Sequence, residues 1–358
     1  MALPSNMKRV ITFWLVLLIS QIQFSVFGQD PQLSQFYAAP LLISPAFAGI
    51  NGTSKVNFNH RNQWPNLSAN YQFSAISADF SLNKYNTGIG LVISNDVQFS
   101  NLKTTHVALQ YAYHLNLAED QSLSFGLQGS YVTRGLSNSN LVFGDQLNTY
   151  LSAGAIGSTL DPVNTTLLPN KSYLDLTAGL LFNRGNTWVG LSVAHLNTPN
   201  KSLVHGTEDL LAMNFSVQVG TKIMLEDSYY EVNSNGSRNN EKSFSPVLHF
   251  KKQGVFDQLD LGAYLTLSPM VLGAWYRGVP IQKSADGTSG TRESVVALVG
   301  YRKDNFSVGY SYDLTISKLG MPSGGSHEIS LAYLFDLNNA TIRNTYQKFK
   351  RNLSCPKF

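Results

Sequence analysis

Alternation with a period of two recurs along this chain and limits its fold more than any other feature. In 106–115, Val107, Leu109, Tyr111, Tyr113 and Leu115 take one face and His106, Ala108, Gln110, Ala112 and His114 the other. The same division holds in 123–131, 259–267 and 306–313. Successive side chains of a strand point to opposite faces, so each segment reads as a two-faced strand. Their lengths are near the roughly 9–11 residues that a tilted membrane strand needs. Such strands suit a barrel with an apolar wall toward lipid and a polar lumen. They also suit a soluble sandwich. Three features favour the barrel. The apolar face persists across most of the chain. The 17 tyrosines and 20 phenylalanines crowd toward strand ends. Short turns alternate with long polar loops.

Composition agrees. Hydrophobic residues make up 43% and charged residues 13%, against roughly 25% charged in soluble domains. Residues 1–28 read as a signal peptide. Lys8 and Arg9 precede an apolar run from Val10 to Ile19, and Val26 and Gly28 are small enough for a cleavage site before Gln29. The run is too short for a spanning helix. Setting aside Lys8 and Arg9 takes the 26 basic residues to 24 against 22 acidic, a net charge of +2. A near-neutral mature chain argues against a nucleic-acid partner. The single cysteine, Cys355, allows no intramolecular disulfide. A closed barrel, whose strands all bond to two neighbours, would hold such an exported chain together.

The expected fold is therefore all-β, a transmembrane antiparallel β-barrel of about 14 strands, the even number usual in bacterial barrels. The strands are expected at 55–64, 70–80, 87–97, 102–115, 121–135, 172–183, 187–197, 209–224, 243–252, 256–267, 270–277, 293–302, 305–313 and 326–336. The chain divides into a leader (1–28), an irregular N-terminal periplasmic or plug segment (29–54), the barrel (55–336) and a periplasmic tail (337–358). Short turns then fall in the periplasm and long loops outside. The connection 225–242 breaks this rule, being long on the periplasmic side.

Five marks, in order, resemble the PorP/SprF family of outer-membrane proteins. They are Gln29-Asp30-Pro31 with Ser34-Gln35-Phe36-Tyr37 and Ser44-Pro45-Ala46-Phe47-Ala48-Gly49; Arg61-Asn62-Gln63-Trp64; Leu272-Gly273-Ala274-Trp275-Tyr276-Arg277; Tyr312-Asp313, Ser317, Gly324-Gly325 and His327-Glu328; and Cys355-Pro356. The resemblance implies a non-enzymatic outer-membrane component of type IX secretion and gliding. Its partners would be outer-membrane lipid and either a secreted adhesin or the periplasmic secretion apparatus. The alternative is a porin or small-solute transporter. The residues singled out as structural or partner candidates are Gln35, Phe36, Tyr37, Pro45, Phe47, Gly49, Arg61, Gln63, Trp64, Arg277, Asp313, Gly324, Gly325, His327 and Glu328.

Physical reading of these residues gives bland roles beside sharp ones. Arg61 shares a face with Asn57 and Asn59, hence the lumen. Arg or Lys facing lipid at mid-membrane costs roughly 2–4 kcal/mol, so Arg61 and Arg277 should turn inward and meet Asp175, Asp260, Asp313 or Glu328. That network either fills the lumen or lines an ion path. His327 and Glu328 are adjacent and face opposite ways, so they do not chelate one metal. Gly324 and Gly325 suit a tight turn. The sequence holds no G-x-S-x-G elbow and no HExxH helix, so no catalytic residue, cofactor or metal is expected. Gly88-Ile89-Gly90 lacks phosphate-loop spacing and reads as glycine easing strand curvature. The 29–49 stretch has no core of its own and reads as a lumen plug or a partner-binding arm. The basic tail reads as solvated or as a docking strip.

Overall fold

The computed structural model describes residues 30–68, 70–99, 102–136, 144–147, 166–225, 241–283, 289–317 and 319–335. The leader with Gln29, the connection 226–240, the tail from 336 and most of loop 137–165 lie outside the described residues.

Fifteen antiparallel strand segments form one sheet: β1 (Ser54–Gln63), β2 (Tyr71–Leu82), β3 (Thr87–Gln98), β4 (Leu102–Ala118), β5 (Gln121–Leu136), β6 (Asn170–Arg184), β7 (Thr187–Ala194), β8 (Asn214–Thr221), β9 (Ile223–Met224), β10 (Lys242–Gln253), β11 (Phe256–Leu267), β12 (Met270–Lys283), β13 (Ser289–Lys303), β14 (Phe306–Thr315) and β15 (Ser326–Phe335). β8 and β9 both pair with β10 and make one stave interrupted at Lys222. The staves therefore number fourteen. β15 pairs with β1 from Ser54↔Phe335 to Gln63↔Ser326, which closes the cylinder.

Every expected strand is present; the edges differ where local chemistry intervenes. β12 continues past Arg277 to Lys283 through a register shift at Arg277/Gly278. Gly278 there has φ +147°, open to glycine alone. β7 and β8 are shorter than their alternation because residues 195–213 fold as a loop. Asn197 Nδ2 donates to Leu174 O and Leu196 N to Leu176 O, completing the unpaired edge of β6.

The alternation sorts side chains as a barrel in lipid requires. On β4, Val107, Leu109, Tyr111, Tyr113, Leu115 and Leu117 all point outward and are exposed, Leu109 by 62%. Ten residues at strand rise and usual tilt span about 25 Å, the height of a barrel's apolar band. The inner wall carries many small hydroxyls, among them Ser77, Ser94, Ser124, Ser130, Ser192, Ser243, Ser311 and Ser330, all buried.

The two ends differ. At one, the connections 83–86, 119–120, 185–186, 268–269 and 304–305 are short, with 225–241 the exception. The long connections 137–169, 195–213 and 316–325 lie at the other, although 99–101 and 254–255 there are also short. At the short-turn end an ionic clasp spans the interrupted stave. Lys222 Nζ lies 2.8 Å from Glu241 Oε1, Ser243 Oγ donates to the same oxygen at 2.9 Å, and Arg302 Nη2 is 3.2 Å from Glu241 Oε2. Burial raises the Glu241 carboxyl, but Lys222 and then Arg302 outweigh it and hold the group at about 2 against an ordinary 4.5. A depressed folded value contributes stability above the ordinary value and loses it as pH falls toward 2, here roughly 3 kcal/mol. Melting in detergent should therefore drop more steeply between about pH 5 and 2 for the native chain than for Glu241→Gln. Parallel curves would refute the clasp's contribution.

Candidate functional site: a neutral segment held inside the barrel

Residues 33–50 pack within the barrel, and almost all of them are buried. Their sequence bears no charge and little strand propensity. Pro40 and Pro45 each open a 3-10 turn (Pro40–Leu42, Pro45–Phe47), where the missing N–H costs nothing. Ser44 Oγ accepts from Ala46 N and caps the second of these. A first such turn, Phe36–Ala38, precedes them.

The upstream end of the segment is bound by charges from the wall. Arg61 Nη2 lies 2.9 Å from Asp313 Oδ2 and its Nη1 3.4 Å from Glu328 Oε2. Arg277 Nε donates to Asp260 Oδ1 at 2.8 Å, Nη1 to Asp313 Oδ2 at 3.0 Å and Nη2 to Leu33 O at 3.1 Å. Two guanidinium groups thus face three carboxylates. The deficit falls on Glu328, whose one ion pair among the described residues is with Arg61. The segment makes it good: Ser34 N and Gln35 N donate to Glu328 Oε2 and Oε1 at 2.6 and 3.0 Å. Ser34 Oγ donates to Asp313 Oδ2 at 2.6 Å, and Gln35 Nε2 to Glu328 O and Ser311 Oγ at 2.9 and 3.2 Å. Consecutive backbone amides on a carboxylate are among the stronger hydrogen bonds, and without them a buried charge would be under-satisfied.

Below this knot the segment inserts two aromatic rings. Phe36 meets His249 and Trp275 at ring-centre distances of 5.2 and 5.9 Å. Tyr37 meets Trp188 edge-on at 6.0 Å and Tyr264 at 5.4 Å. These wall residues come from β10, β12, β7 and β11. Such pairs add to area burial by about 0.5–1.5 kcal/mol each.

Further along, the segment lies directly against glycines of the wall. A Cβ at Gly88 would overlap the Ala48 carbonyl and Gly49, and one at Gly126 would overlap Pro45 and Ala46. Curvature is therefore not the reason for Gly88, as the sequence suggested; another backbone approaches there. Gln110 Nε2 donates to Leu41 O at 2.7 Å, Ser192 Oγ to Ile43 O at 3.1 Å, and Gly49 N to Asp79 Oδ1. His114 bridges Ser124 Oγ (2.7 Å) and Ala48 O (2.8 Å).

The structure brings together Gln35, Arg61, Arg277, Asp313 and Glu328 in the knot, Phe36 and Tyr37 in the aromatic socket, Phe47 in the same apolar cluster as those rings, and Pro45 and Gly49 on the glycine strip. Gln63 Oε1 accepts from Arg61 Nε and Nη2, both at 3.3 Å, and so supports the knot from its rim. Trp64, Gly324, Gly325 and His327 stand apart. Trp64 stacks edge-on with Tyr71, and its backbone N–H donates to Gly325 O at 2.8 Å. Gly324 and Gly325, at φ +82° and +67°, turn the chain before β15. His327 faces away from the lumen and bonds Tyr310 OH at 2.8 Å. Asp175, an acidic lumen candidate, pairs with His195 at 2.9 Å rather than with the arginines. Nothing in the sequence pattern marks Trp188, Tyr264, Gly126 or Gly179 (where a Cβ would overlap Ser44 Oγ) as a contact of the segment, although glycine on an inward polar face is a usable sign of close approach.

Comparison with solved structures finds distant barrels. The chain is similar to the CymD monoaromatic hydrocarbon channel (12% identity, TM-score 0.45, covering 84% of this chain and 93% of that one). It is also similar to the TodX deltaS2S3 mutant monoaromatic hydrocarbon channel (9%, 0.41, 88% and 96%) and to Omp33 of Acinetobacter baumannii (8%, 0.39, 81% and 100%). No curated protein matches the chain. Residues 25–333 match the family model described as type IX secretion system membrane protein PorP/SprF. That match takes in the lumen segment, the knot and every strand but the last two residues of β15, and the chain belongs to the PorP/SprF family.

Proposed function

We propose that this chain is a non-enzymatic outer-membrane component of the type IX secretion and gliding machinery. It is exported by cleavage before Gln29 and supports export or surface attachment of a secreted adhesin, or links the membrane to the periplasmic apparatus. Its role is to hold partners at its rims and tails rather than to pass solutes. The observation that carries this reading is the filled lumen: a neutral segment is tied to seven or more strands by its backbone, two aromatic rings and a buried ionic knot. A porin needs that space for water. An enzymatic reading meets the same obstacle. His114 and Ser124 are hydrogen-bonded, but the second ring nitrogen of His114 is taken by Ala48 O and both residues are buried beneath the segment. A general base must reach a proton on a bound substrate.

Deletion of the gene should remove one secreted adhesin from the cell surface and leave small-solute uptake unchanged. Normal adhesin display with impaired uptake would overturn the reading in favour of transport.

A further inference from the structure

The lumen segment has a direction. Its upstream end lies at Arg61, Asp313 and Glu328, each two residues from where its strand ends on the long-loop side, at Gln63, Thr315 and Ser326 respectively. Its downstream end lies at the opposite rim. Gly49 meets Gly88, one residue into β3, and Gly52 O accepts from Asn83 Nδ2 in the short turn 83–86 at 2.8 Å. Between them the segment traverses most of the barrel's height. Exposure follows the same gradient, with Ser34 and Leu33 buried and Pro31 exposed.

We infer that the segment enters the barrel through the long-loop mouth, so that Pro31 opens to the compartment of the 195–213 loop and not to that of the short turns. β1 nevertheless begins at the short-turn end, so the chain runs down the lumen before it starts up the wall. The ligands of Ser34 and Gln35 are on β1, β14 and β15, the strands at the closing seam, with a longer contact at 3.5 Å from Arg277 of β12. The segment is therefore held at the seam where the first and last strands meet. Taken with the outer-membrane reading above, on which only the identity of the compartments rests, Pro31 faces the cell exterior. It is then reachable by extracellular rather than periplasmic proteins.

Single cysteines test this in a Cys355→Ser background. Pro31→Cys is compared with Glu208→Cys, exposed in the 195–213 loop, and Asp120→Cys, exposed in a short turn. The probe is a polyethylene-glycol maleimide too large to pass the outer membrane, applied to intact and to permeabilised cells. Pro31→Cys should react under the same conditions as Glu208→Cys. Reaction only under the conditions that label Asp120→Cys, or no reaction before denaturation, would overturn the inference. Should Asp120→Cys label in intact cells while Glu208→Cys does not, the orientation in the membrane is reversed. Co-labelling of Pro31→Cys with Glu208→Cys would still uphold the entry route.

Discussion

Arg277→Ala should destabilise the barrel by about 3–5 kcal/mol, the cost of removing one partner from a buried charged network. Arg277 is 2% exposed and joins Asp260, Asp313 and the Leu33 carbonyl. Truncation leaves two carboxylates facing each other across a cavity, with Arg61 as the remaining guanidinium of the knot. It also releases the upstream end of the lumen segment. Arg277→Lys should fall between, because one ammonium keeps the charge but not the fork that reaches both acids and a carbonyl. The readout is the temperature at which the folded band is lost on an unheated detergent gel. Lys252→Ala is the control. Its pair with Asp257, at 3.1 Å, is open to solvent on the lysine side, and such pairs contribute about 0–1 kcal/mol. Equal shifts for Arg277→Ala and Lys252→Ala would show that the knot carries no special share of stability.

The wall of this barrel was legible in the sequence because a half-buried strand repeats every two residues. Phe256–Leu267 falls where its alternation puts it, to the residue. The edges blur where backbone needs take over, as at the Gly278 bulge and the 195–213 loop. The inward turn of Arg61, Asp313 and Glu328 was legible from the cost of charge in lipid. Their convergence on Ser34 and Gln35 was not, since it depends on register between strands far apart in the chain. The lumen segment showed itself only as apolar residues with no periodicity and no core of their own. Its docking strip was hidden because Gly88, Gly126 and Gly179 resemble ordinary loosening of a strand. Only the segment laid across them, backbone at Gly88 and Gly126 and Ser44 Oγ at Gly179, reveals that a side chain would have no room.

Removing residues 31–50 should turn a closed barrel into a conducting one. The segment supplies the Phe36 and Tyr37 rings, the Leu41 and Phe47 side chains, the backbone that covers Gly88 and Gly126 and the Ser44 hydroxyl that covers Gly179. What remains is a fourteen-stave cylinder whose inner face carries many serines and other polar side chains beside Trp188, Tyr264 and Trp275, an interior that water enters readily. Purified native protein in planar bilayers should carry little steady current, and the deletion variant a large one. Because the deletion also strips Glu328 of two amide donors, it could fail to fold for that reason alone. Gly126→Leu separates the two effects. It leaves the knot intact and drives a side chain into Pro45 and Ala46, displacing only the lower part of the segment. Current should rise in Gly126→Leu to a level between the native chain and the deletion. Steady pore-sized current from the native protein would sink the filled-lumen reading, and with it the preference for a secretion scaffold over a porin.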